Sequence, residues 1–294
     1  MPQLKVDYRT LPPVDRADMV RDLWNMGLRT GDSVLVHSAM SRIGNVQGGA
    51  AAVVDAFLEV LGPHGTLAVP TFPFTGSMLA HVRSDPEFDV DETPSLMGTI
   101  TEEVRTHSGA LRSLEPTHPV AAFGPRAAFL VEDHLNSEGS CDAHSPLYRL
   151  TLPVAADPGE SYVLLIGVNF RNCTLLHTAE EVARVPFIDF KTRYRVRGRT
   201  RRGAYALSIY CHSTPLRANF PAIEPVLLER NRLAIGRVGS AECRLARASD
   251  ILEAARDRLA TDPYFLRVHE GSSAGASPPP AAASTLPDPP SSRQ

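Results

Sequence analysis

The chain has no C-x-x-C pair: its four cysteines, Cys141, Cys173, Cys211 and Cys243, stand singly and far apart. That spacing excludes a zinc ribbon and a dense disulfide framework, and it points to a reducing compartment. No uninterrupted apolar run reaches the length of about 18 residues that would read as a membrane span. The opening residues, Met1-Pro2-Gln3-Leu4-Lys5, lack the apolar core of a secretory signal, so a cytoplasmic protein is expected. Positive charge is not in excess either. Lys and Arg number 30 against 33 Asp and Glu, a formal net charge of −3 that supplies no global field for nucleic acid. The rest is ordinary: 43% hydrophobic and 21% charged residues exclude collagen-like, wholly disordered and small disulfide-scaffold classes. A length of 294 residues fits two domains, or one large α/β domain, and is ample for a substantial core.

Composition shifts after Glu270. Gly271 to Gln294 is mainly Gly, Ser, Ala and Pro, which cannot repay its ordering entropy by burial, so a disordered tail over 271–294 is expected. The folded domain then spans 5–270. Within it, amphipathic stretches alternate with short β-branched apolar runs. Val14 to Met26 and Gly49 to Leu61 have helical spacing; Asp32 to His37, Gly65 to Pro70 and Tyr162 to Val168 read as buried strands. A helix follows that Asn172 or Thr174 could cap and Pro186 would end. Lys191 to Val196 and Ala204 to Tyr210 read as a hairpin turning through Gly198 to Gly203, and a last helix covers Ala248 to Leu259. The expected fold is a single layered α/β/α domain with a mostly parallel central sheet and an added antiparallel hairpin.

Three segments carry residues suited to chemistry. Val36 to Gly49 lies between a strand and a helix and is rich in small residues and glycine. It serves either as an anion cradle for a phosphate or as a glycine-dependent turn. In Thr174 to Glu181, His177 shares a helix face with Glu180 and Glu181. A carboxylate orients an imidazole and raises its basicity, which suits proton removal from a nucleophile; a capping histidine with a surface ion pair is the plain alternative. No H-E-x-x-H or comparable motif completes a metal site, so no metal is expected. His118, in the loop Arg112 to Val120, is either a chemical group or a hydrogen-bonding loop residue. Cys211 and His212 look like a nucleophile and base, but strand neighbours point to opposite faces, which speaks against a dyad.

The ordered series Val36-His37-Ser38 with Gly48-Gly49, Leu61-Gly62 with Gly65-Thr66-Leu67, Pro70-Thr71, Phe88-Asp89 with Thr93-Pro94 and Met97-Gly98, Arg112-Ser113 with Thr117-His118-Pro119, Ser145-Pro146-Leu147, Leu165 to Val168, Thr174 to Glu180, and Glu224-Pro225 through Gly236 to Ala241 resembles the aminoglycoside 3-N-acetyltransferase family over about residues 12 to 265. The resemblance implies acetyl-CoA-dependent transfer to an amine, on an α/β/α fold unlike that of the common GNAT acetyltransferases. It implies His177 as the catalytic histidine, with Glu180 its carboxylate neighbour and His118 a further catalytic candidate. It places His37, Ser38, Ala39, Ser41, Gly44 and Val46 at the CoA site, with Thr71 and Ser145 lining the cleft. The partner is then a small-molecule amine, without nucleic acid or membrane, and the chain is a monomer or a homodimer.

Departures from the family pattern concern the acceptor. Glu115 stands where a histidine is expected, and Phe72 to Gly76 and Tyr210 to Ser213 replace expected acidic stretches. Lys191, Arg193, Arg195, Arg197, Arg199 and Arg201 recur at every second residue, so an extended ribbon carries them on one face. That stripe is a solvated edge kept basic against edge pairing, or a surface for the CoA 3′-phosphate or an acidic acceptor. Asp85, Glu87, Asp89, Asp91 and Glu92 form either an ammonium-binding loop or a solvated one. The acceptor is an aminoglycoside, or else another amine such as a phosphonate or peptide-like metabolite. A silent acyl-CoA or nucleic-acid binding module is the non-enzymatic alternative.

Overall fold

Ser33–Ser38, built on the apolar run Val34-Leu35-Val36 that is buried on both faces, forms β1, the strand at the middle of a seven-stranded sheet. The computed structural model describes residues 10–153, 159–212 and 214–268. The expected tail over 271–294 lies outside these. In chain order the further strands used below are β2 (Thr66–Pro70), β3 (Glu87–Asp89), β4 (Leu111–Arg112), β5 (Val120–Phe123), β6 (Ser161–Ile166), β7 (Tyr194–Thr200), β8 (Gly203–Ile209), β9 (Ala234–Val238) and β10 (Ala241–Arg247). The large sheet has the order β9-β10-β6-β1-β2-β5-β4.

Pairing in that sheet is mixed, which corrects the expectation of a mostly parallel one. Only β1 with β2 and β1 with β6 run parallel; β2/β5, β5/β4, β6/β10 and β10/β9 are antiparallel. The layering is as expected. Alternation along β1 sends Val34 and Val36 to one core and Leu35 to the other, and β6 divides Leu164 and Ile166 from Val163 and Leu165 in the same way. Helices Arg16–Met26, Gly49–Leu61 and Thr99–Thr106 cover the first face, and Leu175–Val182, Ile223–Glu229 and Ala248–Thr261 cover the second. Asp15 starts the first helix with a capping box, and Gly27 in the left-handed region ends it. Among the described residues no helix is long and apolar enough to cross a membrane.

The hairpin β7/β8 forms a second sheet, and β3 joins it alongside β7. The basic stripe and the acidic loop, read separately in the sequence, therefore meet each other. Register sets Glu87 opposite Arg197 and Asp89 opposite Arg199. Side chains then pair as Arg197 with Asp85 at 3.0 Å, Arg199 with Asp89 at 3.2 Å and Arg201 with Asp91 at 3.0 Å. Arg193 reaches Glu138 at 3.1 Å. The β7 face is thus neither a bare basic edge nor an open anion surface: it is closed by a strand of opposite charge. Under the ribbon, Phe72, Phe74, Met78, Val196, Ile209 and Cys211 form a third, smaller apolar cluster.

Candidate active site

The chain passes from β1 to β2 on one side and later returns to β6 on the other, so the C-terminal ends of three parallel strands diverge around β1. Such a switch point leaves a crevice in open α/β sheets. Here it is a cleft of about 220 Å³, walled by His37 and Ser38 at the end of β1, Pro70 at the end of β2 and Val168 just beyond β6. Thr174 and His177, from the start of the helix Leu175–Val182, form the opposite wall with Phe220, Arg171 and Asn172.

His177 keeps 24% of its side chain exposed to that cleft, whereas Glu180, one turn on, is wholly buried. The spacing of three residues brings Glu180 Oε2 to 3.1 Å from His177 Nδ1. A carboxylate can only accept there, so the neutral ring carries its proton on Nδ1 and keeps a lone pair on Nε2. The guanidinium of Arg267 binds the same Oε2. Burial pushes the Glu180 carboxyl up to about 7, with Arg267 pulling the other way. Burial also holds His177 well below the usual imidazole range, reinforced by His212 and Arg267. A neutral imidazole with one face on a cleft is an acceptor for a proton.

His212 lies flat against His177, with centroids 4.4 Å apart and planes within 2°, and His118 meets His212 edge-on at 5.3 Å. His212 and His118 each have a polar group behind Nδ1. Glu181 Oε1 is 2.8 Å from His212 Nδ1, while Glu181 Oε2 accepts from the Tyr210 hydroxyl at 2.9 Å. His118 Nδ1 is 3.0 Å from Thr117 Oγ1, and Thr117 donates in turn to Glu115. Glu115, buried and lifted to about 7 by burial, also accepts the backbone N–H of His118 at 2.6 Å. It organises the loop from below the row of histidines.

The residues named from the sequence divide accordingly. His37, Ser38 and His177 come together on the cleft, with Glu180 behind. His37 Nε2 is buried without a hydrogen-bond partner, and burial lowers that imidazole to about 4. Ala39 ties the loop to β6 through its N–H to Ile166 O at 2.9 Å, and Ser41 sits exposed in the following turn Met40–Ile43. Gly44, at φ +116°, packs near Ser240, and Val46 pairs with Val14 in a two-residue parallel bridge. Two sites need correction. Thr71 is fully buried, donating to Pro119 O at 3.0 Å and accepting from Arg112 Nε at 3.0 Å. Ser145 is fully buried as the N-cap of Pro146–Arg149, donating to Asp142 O at 2.7 Å. Both hydroxyls hold backbone and loop in place and leave no face for a ligand. His118 is close to the row of rings but shielded, with His212 between it and His177 in the contacts that form the row.

His212 and Arg267 were missed as site residues. For His212 the signal existed: the alternation that sends Cys211 into the apolar cluster turns His212 the other way, toward Glu181. Arg267 comes from a two-residue strand pair, Arg217–Ala218 with Arg267–Val268, and carries no local sign of its partner 87 positions back.

The chain is similar to known proteins in sequence and in fold. The family model for aminoglycoside 3-N-acetyltransferase matches residues 35–260. Aminoglycoside N(3)-acetyltransferase VII of Streptomyces paromomycinus is 31% identical, over 86% of this chain and 94% of its own length. The SPbeta prophage-derived aminoglycoside N(3′)-acetyltransferase-like protein YokD of Bacillus subtilis (strain 168) is 29% identical, over 82% of this chain and 90% of its own. Among solved structures, aminoglycoside acetyltransferase AAC(3)-IVa superposes with a TM-score of 0.74 at 25% identity, covering 87% of this chain and 92% of that one. A binary complex of AAC-IIIb with CoASH gives 0.73 at 26% identity, covering 85% and 97%. By the extent of that match and the order of its motifs, the chain belongs to the aminoglycoside 3-N-acetyltransferase family.

Proposed function

We propose that this protein transfers the acetyl group of acetyl-CoA to the 3-amino group of an aminoglycoside. The observation that carries the reading is His177: a neutral ring with Nδ1 bound to a buried, Arg-braced carboxylate and 24% of its side chain exposed on a cleft. Relatives solved with CoASH and, for an AAC(3)-IVa variant, with a gentamicin supply the two ligand classes.

An ammonium group has no lone pair, so the acceptor must lose a proton before or during attack on the thioester. His177 Nε2 takes it, directly or through a water, and Glu180 steadies the imidazolium that results. The amine nitrogen forms its bond to the acetyl carbon, the C–S bond breaks as His177 passes its proton to the departing thiolate, and the second proton that the nitrogen sheds on becoming an amide leaves to solvent. The loop of His37, Ser38, Ala39, Ser41, Gly44 and Val46 borders the CoA side, and Arg171 supplies a cation on the cleft wall for its phosphates. Backbone amides stabilise the oxyanion of the tetrahedral intermediate.

The test is a thiol-release assay with acetyl-CoA over a panel of amines. Release of CoA with gentamicin- and kanamycin-type aminoglycosides, with a monoacetylated product, is expected. Silence with every aminoglycoside, alongside turnover of a different amine, would overturn the assigned acceptor.

A further inference from the structure

Behind the catalytic ring, the fold gathers three residues that the acetyl-transfer reading leaves without a task. His118, Cys141 and His212 come from three separate loops, and one donor atom from each lies within 4.8 Å of the others. All three are packed in the interior: Cys141 is fully buried, His118 is 6% exposed and the His212 side chain is 6% exposed. Scattered cysteines gave no hint of this, because the grouping is one of tertiary structure.

We propose that His118, Cys141 and His212 form a binding site for a divalent transition-metal ion, zinc by the nature of the donors. Two imidazoles and one thiol match the ligand classes zinc prefers, and three protein ligands leave a fourth position open. The rings are also set up as metal ligands are. Metal-bound histidines usually engage the other ring nitrogen with a carboxylate or hydroxyl, which fixes the tautomer and aims the free nitrogen. His118 has Thr117 Oγ1 at 3.0 Å from Nδ1, with Thr117 donating to Glu115, while His212 Nδ1 stands 2.8 Å from Glu181 Oε1 without the alignment of a hydrogen bond. The His118 ring therefore offers Nε2. Both ring nitrogens of His212 are buried and have no hydrogen-bond partner, an uncommon condition for a polar side chain unless something is to fill the space beside it.

Distance and charge support the same assignment. Zinc bonds of 2.0–2.3 Å put tetrahedral donors about 3.3–3.8 Å apart, so rotamer shifts of about an ångström close the observed triangle on an ion. Glu115 and Glu181, both fully buried, stand behind the two histidines with hydroxyl, amide and imidazole partners, whereas Glu180 has Arg267. A dication beside them supplies charge that this corner otherwise lacks. The ion would sit one imidazole behind His177, on the far side of His212.

Metal content tests this without reference to acetyl transfer. Tag-free full-length protein, purified from zinc-supplemented cells, is expected to retain about one zinc per chain, and Cys141→Ser less than about a tenth of that. After metal removal, cobalt(II) should give a thiolate charge-transfer band and the intense visible bands of a tetrahedral site. Cys243→Ser should keep both and Cys141→Ser should lose both, each with an unaltered circular dichroism spectrum. If Cys141→Ser does not fold, His118→Asn replaces it, with a cobalt spectrum showing fewer nitrogen donors or none. Wild-type protein that retains no zinc and gives no thiolate–cobalt band would overturn the proposal, as would a band that survives both substitutions.

Discussion

Arg267 closes its guanidinium on Oε2 of Glu180, the same carboxylate oxygen that His177 Nδ1 reaches at 3.1 Å. The two partners are 5% and 0% exposed. Removing one member of such a buried pair strands the other's charge, at a cost of about 3–5 kcal/mol. Arg267→Met should therefore lower stability by that order in chemical denaturation, and Arg267→Met with Glu180→Gln should recover much of the loss. A double variant no more stable than Arg267→Met alone would show that the pair is not what holds this corner.

The arginine stripe is expected to be irrelevant to CoA. Arg199 and Arg201 are committed to Asp89 and Asp91 across the β3/β7 pairing, and both are largely exposed. Arg199→Ala and Arg201→Ala should each change stability by less than about 1 kcal/mol and leave the KM for acetyl-CoA unaltered. A several-fold rise in that KM, falling away with added salt, would return the stripe to the CoA site.

Gly167 follows β6 at the rim of the cleft, with φ +65°, and a Cβ there would lie 2.4 Å from Arg42 Cβ. Arg42 belongs to the turn Met40–Ile43 that continues from Ser38. Gly167→Ala must displace that turn or distort β6, at about 1–3 kcal/mol in stability. Steady-state kinetics should show KM for acetyl-CoA raised several-fold with kcat less affected. An unchanged KM in a folded variant would remove the turn from the CoA site.

Buried His134 bonds Ser113 Oγ at 2.8 Å and Ser140 O at 3.0 Å, and burial lowers its pKa from 6.5 to about 4. Its folded state resists protonation, so its contribution is complete above pH 6.5 and is lost as pH falls toward 4. Glu115, raised to about 7, acts with the opposite sign, so total stability conceals the effect. The difference between wild type and His134→Gln exposes it. That difference should shrink by about 3 kcal/mol between pH 7.5 and 4; a constant difference would mean the ring is not titrating as described.

Periodicity was a good guide to individual elements and a poor one to their directions. The helix Gly49–Leu61 lies where spacing put it, and β1, β2 and β6 fall within a residue or two of the apolar runs. A strand buried on both faces reads the same whether its neighbour is parallel or antiparallel, which is why β5 and β10 make the sheet mixed against expectation. The hairpin's alternation was legible, but its occupant, β3, lies more than 100 residues earlier in the chain. His177 and Glu180 could be read together because one helical turn joins them. Alternation could turn His212 away from Cys211 but not name its neighbour, and Arg267 and Cys141 carried no such sign, since only the closed fold sets all three near that turn.

The base at the cleft is tested most directly by His177→Ala, measured for acetyl-CoA affinity by calorimetry and for kcat by thiol release with an aminoglycoside. Affinity for acetyl-CoA should remain within about twofold while kcat falls about 100-fold or more, because the ring acts on the proton of the acceptor. A variant that binds acetyl-CoA normally and keeps its kcat would contradict the account.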